Sequence, residues 1–268
     1  MTPLFTPPDN LLLAFDGYNV VRRVYGAVPG DDSVAKVEGA FKSSLGSFKR
    51  ALKEFKPTHV LAAFDAGGKT FRHDIYPHYR EARQPMPEVL RAAMPAFFDM
   101  LRDEGIPVVV VPGVEADDVL GTVGFRWVSG GKGRAVIMST DKDLADLGQY
   151  GVEVRDQFME RWLDAAWIMT RGGVQPSQYT DYLALTGDIV DGIPGINKCG
   201  PKTAAKWLGE YGSLAGLIEN RMKLTGAIGI RFQETYQDAL MSRELVRLKL
   251  DVEVGVSWRD LEYAGPSK

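Results

Sequence analysis

Gly113-Val114-Glu115-Ala116-Asp117-Asp118-Val119-Leu120 puts three carboxylates where an apolar stretch hands over to a helical pattern. Oxygen-only groups so close together suit capture of a hard cation and, through it, chemistry on a phosphate. The apolar stretch, residues 106–111, reads as a buried strand, and the helical pattern runs on through Phe125. In a helix Glu115 and Asp118 share a face and Asp117 points elsewhere. Taken alone, helix capping explains the three, because the dipole stabilises first-turn acids by roughly 0.3–1 kcal/mol each. Acids at three other strand ends change that balance.

The strands that carry them are apolar runs. Residues 11–15 end in Asp16-Gly17, residues 59–64 end in Asp65, and residues 135–139 run into Thr140-Asp141-Lys142-Asp143. In residues 106–111, Pro107 is tolerable only near the beginning of a strand. Residues 33–55 carry Val37, Phe41, Leu45, Phe48 and Leu52 at helical spacing. Residues 89–101 also read as helix, where Pro95 implies a kink or a late start. Strands alternating with helices predict an α/β fold, a mostly parallel sheet covered on both faces. Ligands bind such sheets outside the carboxyl ends of the strands. Asp16, Asp65, Glu115, Asp117, Asp118, Asp141 and Asp143 all belong there. Two more acids, Asp188 and Asp191, follow a predicted helix over 178–185 that Gln175-Pro176 opens. Turn formation is the competing explanation for that pair.

Nine carboxylates in one cleft would repel one another, by about 4 kcal/mol per pair at ~4 Å and an effective dielectric of about 20. Either some hold protons or cations neutralise them. Oxygen ligands without His or Cys select Mg²⁺ or Mn²⁺, and Mg²⁺ keeps several waters. The expected chemistry is phosphodiester hydrolysis. The 268 residues carry 35 Asp+Glu and 32 Lys+Arg, a net charge of −3; with nine acids set aside, 26 face 32 bases. A basic surface around a metal-filled cleft is what a phosphate polymer requires.

The totals exclude other classes. Hydrophobic residues at 45% and charged residues at 25% are ordinary globular values. No apolar run approaches the ~20 residues that span a bilayer. Residues 1–10 lack the basic and apolar regions of a signal peptide. One cysteine, Cys199, permits no internal disulfide, and with three histidines it argues against a thiolate–imidazole zinc site. A cytoplasmic location is expected. His59, His73 and His78 show no ligand spacing.

Two stretches have phosphate-binding character. In Gly192-Ile193-Pro194-Gly195-Ile196-Asn197-Lys198-Cys199-Gly200-Pro201-Lys202-Thr203, glycines permit a tight hairpin before a helix over 202–210. Backbone N–H groups at that helix start bind an anion without reading sequence, as in a helix–hairpin–helix element on DNA. A nucleotide phosphate loop fits less well, since Pro201 interrupts the Gly-Lys-Thr order and no strand precedes it. Residues 71–87 interleave aromatics with bases and have no clean period, which suits a lid whose cations pair with phosphates and whose rings stack on unpaired bases.

Together these residues resemble the bacterial 5′-nuclease (flap endonuclease) family: the 5′→3′ exonuclease domain of DNA polymerase I and its stand-alone relatives. The resemblance spans residues 11 to about 254. It is carried by Asp16-Gly17 with Arg23, Phe64-Asp65, Tyr79-Arg80 with Arg83, and Glu115-Ala116-Asp117-Asp118. It continues in Ser139-Thr140-Asp141-Lys142-Asp143, Leu185-Thr186-Gly187-Asp188 with Asp191, and the 192–203 hairpin.

The family implies a PIN/5′-nuclease-like core over residues 1–170 with a lid near 71–87, a helical DNA-binding region over 171–254 with its helix–hairpin–helix near 185–210, and a tail over 255–268. It implies one metal ion at Asp16, Asp65, Glu115, Asp117 and Asp118, and a second nearer Asp141, Asp143, Asp188 and Asp191. Backbone carbonyls of Leu185, Thr186, Pro194, Ile196 and Cys199 would hold K⁺. Arg23 would contact the scissile phosphate, with Arg80, Asp117 and Asp141 in the catalytic set. Tyr79, Arg83, Lys198, Gly200, Lys202, Thr203 and Lys206 would meet DNA. The family usually has Lys where this chain has Arg80; a guanidinium still neutralises a phosphate but is planar and held differently.

The expectation is a monomeric, structure-specific nuclease for DNA with a 5′ flap or 5′ single-stranded end, functionally linked to a DNA polymerase. One alternative is a non-catalytic binder of branched DNA. Another, an Asp-nucleophile phosphohydrolase, wants a second Asp where Tyr18 stands.

Overall fold

In the computed structural model, residues 10–266 are described, so the leading stretch read above for a signal peptide lies outside them except for Asn10, as does the end of the 255–268 tail. The elements in chain order are β1 (Leu11–Asp16), α1 (Gly17–Ala27), α2 (Val34–Phe55), β2 (His59–Asp65), α3 (Phe71–Ile75), α4 (Glu88–Asp103), β3 (Val108–Val111), α5 (Ala116–Ser129), β4 (Arg134–Met138), β5 (Glu153–Asp156), β6 (Arg161–Trp162), α6 (Ala165–Gly172), α7 (Tyr179–Thr186), α8 (Pro201–Tyr211), α9 (Leu214–Glu219) and α10 (Gly226–Val246). They belong to two units. One comprises residues up to 67, 85–162 and 249 onward; the other comprises 68–84 and 163–248.

The first unit holds a six-stranded sheet in the order β3-β2-β1-β4-β5-β6. Every pairing is parallel except that of β5 with β6. All six residues of β1 are buried, which is why that strand reads as an unbroken apolar run. The order reverses beside β1, between the directions of β2 and β4, and a crevice at such a switch point is where parallel sheets bind ligands. Phe15 stacks on Phe48 at 4.3 Å between ring centroids, and Phe41 meets Phe97 at 4.8 Å, so α2 and α4 cover one face. Ser33 caps α2 by accepting from the Lys36 N–H.

Two expectations are corrected, and two strands were not anticipated. β3 begins at Val108, not residue 106: Pro107 has no N–H, and it joins the sheet only through its carbonyl, which accepts from Ala62 N–H at 2.8 Å. α4 starts at Glu88 and runs through Pro95, which lies on the exposed side, where water can serve the carbonyl left without a donor. β5 and β6 escaped notice because they are short and mix charged with buried residues.

The second unit is helical. α7 and α8 flank the 187–200 hairpin, and α10 packs beside α7 and α3. No helix among the described residues is long and apolar enough to cross a membrane.

Candidate active site

Asp16 ends β1 and starts α1. Its Oδ1 accepts from Asn19 N–H at 3.1 Å, so it is the N-cap. Its Oδ2 accepts from the Ser139 hydroxyl at 2.7 Å. The same Ser139 oxygen accepts from Asp141 N–H at 3.0 Å, and Asp141 Oδ1 accepts from Asp143 N–H at 2.9 Å. Asn19 Oδ1 accepts from both the backbone N–H and the hydroxyl of Thr140, at 3.1 and 3.0 Å. The turn after β4 is thereby pinned to the end of β1, and Asp16 and Asp141 share one hydroxyl. Gly17 allows the tight exit, because a Cβ there would lie 2.2 Å from the buried Phe64 ring.

Asp65 ends β2, and its Oδ1 accepts from Ala116 N–H at 2.7 Å, fixing the start of α5 to that strand end. Glu115 occupies the N-cap of α5 and is buried, as is Asp118; Asp117 between them is half-buried. Asp118 Oδ1 also accepts from Lys249 N–H at 2.9 Å, which ties the returning C-terminal segment to α5. Lys142 Nζ lies 3.5 Å from Asp143 Oδ1. Arg23, exposed on α1, holds its guanidinium 4.9 Å above the Phe158 ring.

Burial pushes the Asp16 carboxyl up from the usual 3.8 to about 7; the Ser139 hydroxyl and Asn19 N–H pull it down, and the charges of Asp141 and Asp65 push it further up. Loss of hydration on burial is the largest cause, and the two neighbouring carboxylates add to it. Among the described residues no three His, Cys, Asp or Glu groups close into a ready-made cage. A hard ion that retains waters needs only one or two direct carboxylates, so this all-oxygen donor set fits a hard divalent ion.

In the helical unit, Asp188 and Ile193 exchange backbone hydrogen bonds of 2.9 and 2.7 Å across the hairpin. Asp188 Oδ1 accepts from the N–H groups of Val190 and Asp191 at 2.8 and 3.3 Å, an Asx turn. Gly187 and Gly195 meet backbone to backbone. Gly195 N–H donates to the Ser242 hydroxyl at 3.0 Å. Leu185 and Ile196 carbonyls accept from Ile196 and Cys199 N–H groups at 2.9 and 2.8 Å. Gly200 is the N-cap of α8, and no side chain caps that end. Lys198, Lys202 and Lys206 are exposed and Thr203 is half-buried.

Arg80 and Arg83 come together with Asp191. Tyr79 is 3% exposed, with its ring edge-on to His73. In this conformation it braces its segment instead of offering a stacking face. Arg72, read above within a phosphate-pairing stretch, is buried, with Nε donating to the Leu245 carbonyl at 2.7 Å. It serves the C-terminal end of α10, where carbonyls lack helical partners.

Sequence reasoning missed the roles of Ser139 and Asn19. Ser139 stood inside a recognised motif, and Asn19 three residues after Asp16 carries a capping spacing. What each bonds to depends on β1 lying next to β4, which no local pattern states.

The family model described as 5′-3′ exonuclease, N-terminal resolvase-like domain matches residues 11–173, and 5′-3′ exonuclease, C-terminal SAM fold matches 174–268. Flap endonuclease Xni of Aeromonas hydrophila is 34% identical, over 96% of this chain and 97% of its own. Flap endonuclease Xni of Vibrio parahaemolyticus is 32% identical, over 96% and 98%. Among solved structures, T5 5′-exonuclease with bound zinc superposes with a TM-score of 0.73 at 21% identity, covering 90% of each chain. The catalytic core of Rad2 in complex with DNA substrate gives 0.57 at 16% identity, covering 93% of this chain and 83% of that one.

Proposed function

On the premise that this chain belongs to the 5′-3′ exonuclease family and is a structure-specific 5′-nuclease, a phosphodiester hydrolase, we propose that it cuts branched DNA at a 5′ flap or 5′ single-stranded end with two divalent ions. The observation that carries this reading is the hydrogen-bonded carboxylate set at the carboxyl ends of β1, β2 and β4, with Asp16 buried at its centre.

Asp16, Asp65, Glu115, Asp117, Asp118, Asp141 and Asp143 would hold Mg²⁺ or Mn²⁺. When bound, such ions lower the pKa of an attacking water and stabilise the attacking and leaving oxygens of an in-line displacement. Ser139 and Asn19 keep the carboxylates in register. Arg23, propped on Phe158, would neutralise the phosphate being cut. The uncapped start of α8, with Lys198, Lys202 and Lys206 around it, suits the DNA backbone. Carbonyls of Leu185, Thr186, Pro194, Ile196 and Cys199 would hold K⁺; the side-chain-free approach of Gly187 to Gly195 supports this, and a carbonyl already accepting one N–H keeps a second lone pair.

A labelled 5′-flap duplex should be cut with Mg²⁺ and left whole with EDTA. A pure preparation that binds flaps but leaves them intact across a range of Mn²⁺ would instead favour the non-catalytic binder. Ser139→Ala should lower the cleavage rate by about 10–100-fold and raise the Mn²⁺ concentration needed, as loss of a ligand's supporting hydrogen bond does; an unchanged metal requirement would deny Ser139 this role. Lys202→Ala should weaken binding alike for all flap sequences and reduce the slope of log affinity against log salt by roughly one. Sequence-selective loss in a binding titration would contradict a backbone contact.

A further inference from the structure

The solvent face of α2, in the sheet-bearing unit, is cationic and plays no part in the mechanism proposed above. Lys42, Lys49, Arg50 and Lys53 are all exposed, and at about 3.6 residues per turn they lie on one side of the helix. Gly39, Ser43 and Gly46 fall among them at the same spacing. Apart from the helix's own backbone, a Cβ at Gly39 would meet nothing within 4 Å, and one at Gly46 would meet only Arg50 Nη1 at 3.8 Å. The ground between the cations is therefore low and open. The acids at its borders are already taken: Lys49 Nζ donates to Glu104 Oε1 at 2.7 Å, and Glu54 Oε1 lies 3.2 Å from Arg155 Nη2. Among the described residues Lys42, Arg50 and Lys53 have no ion-pair partner, and Glu38, four positions before Lys42, pairs with none of them.

The neighbouring helix α4 closes its charges on itself, Arg91 with Glu88 at 2.7 Å and Arg102 with Asp99 at 2.8 Å. On α2, Lys53 instead stands one turn from both Lys49 and Arg50, and like charges at that spacing weaken a helix. Attraction to the helix dipole accounts for Lys53, in the last turn, but fades before Arg50 and Lys42. We propose that this face of α2 holds the phosphate backbone of a duplex arm of the DNA substrate, as a second contact besides the start of α8. This rests on DNA being the substrate. The charge selects a polyanion. The choice among polyanions follows from the side chains present. Residues 39–53 expose no aromatic ring on which an unpaired base could stack, and no large apolar side chain that a peptide partner could bury. Small residues among flexible cations admit phosphates close to the helix and read no sequence.

The test compares the double variant Lys42→Gln, Arg50→Gln with the double variant Arg91→Gln, Arg102→Gln, which removes the same charge from the self-paired face of α4. Gln is about as good a helix former as Lys or Arg, so α2 itself is preserved. Binding is titrated in EDTA over a range of salt, with a flapped duplex and with an unpaired oligonucleotide. The α2 variant should bind the flapped duplex about tenfold more weakly at low salt, and its slope of log affinity against log salt should be shallower by about two. The α4 variant should match wild type on the flapped duplex, and both should match it on the unpaired strand. A slope left unchanged in the α2 variant, or the same loss in the α4 variant, would overturn the proposal. An equal loss on the unpaired strand would take the contact off the duplex. DNA affinity kept while binding of poly-glutamate is lost would make the face a surface for acidic protein. A wild-type chain that binds flaps and leaves them whole in Mg²⁺ would instead count against the nuclease reading, and the binding comparison would still decide the role of α2.

Discussion

Asp16→Asn is expected to reduce flap cleavage by at least about a thousandfold, some 4 kcal/mol of transition-state stabilisation, and to stabilise the metal-free protein above pH 7. The two effects have one cause. Asp16 is buried, and its carboxyl is raised to about 7 by that burial together with the charges of Asp141 and Asp65. A carboxyl whose folded pKa lies above its unfolded one supports the fold fully below pH 3.8 and loses that support as pH climbs through 7. The contribution is on the order of 4 kcal/mol, since each pKa unit is worth about 1.4 kcal/mol. Asn keeps an acceptor for the Asn19 N–H and an amide that can pair with the Ser139 hydroxyl, but it carries no charge to desolvate. Melts in EDTA should therefore show wild type falling between about pH 4 and pH 7 and levelling off above that, while Asp16→Asn stays level across the same range. Each kcal/mol is worth about 2–4 °C in a domain of 150–250 residues. An Asn variant that melts lower than wild type at pH 8, or still cuts, would contradict this assignment.

The second large effect lies in the hairpin. Gly195→Ala should cost about 3 kcal/mol or more, from overpacking and from a left-handed backbone that side chains disfavour. Gly195 has a φ of 57°, and a Cβ there would sit 2.4 Å from Gly187 N and 2.8 Å from the Leu185 carbonyl oxygen. Those obstacles are backbone and cannot rotate away. The same substitution at Gly209, inside α8 with nothing within 4 Å of its Cβ, should be neutral or stabilising by about 0.5–1 kcal/mol. Urea unfolding of the two variants makes the comparison, and flap affinity should fall only for Gly195→Ala. Equal stability of the pair would mean the hairpin tolerates a wider separation than the structure shows.

What could be read from the chain alone follows from burial. Residues 11–16 and 59–65 announce themselves because a parallel strand covered on both faces is apolar throughout, and Asp16 and Asp65 stand out against that background. β5 and β6, at the sheet's other end, carry Glu153, Arg155 and Arg161 and so read as loop. The start of α8 was legible from Gly200-Pro201, whose residues suit only a helix beginning. The hydrogen bonds that organise the site were not legible. Ser139 reaches Asp16 across 123 positions and Thr140 reaches Asn19 across 121, distances over which spacing carries no information. Arg72 and Arg80 look alike in sequence, yet one is sealed under α10 and the other is clasped by Asp191.

Crystals of the chain soaked in Mn²⁺ test the central claim most directly. Anomalous scattering should place ions against the carboxylates at the ends of β1, β2 and β4, with Asp16 among the groups facing them. Diffraction that shows those carboxylates in place and no manganese beside them, at concentrations that saturate related metal enzymes, would contradict the account.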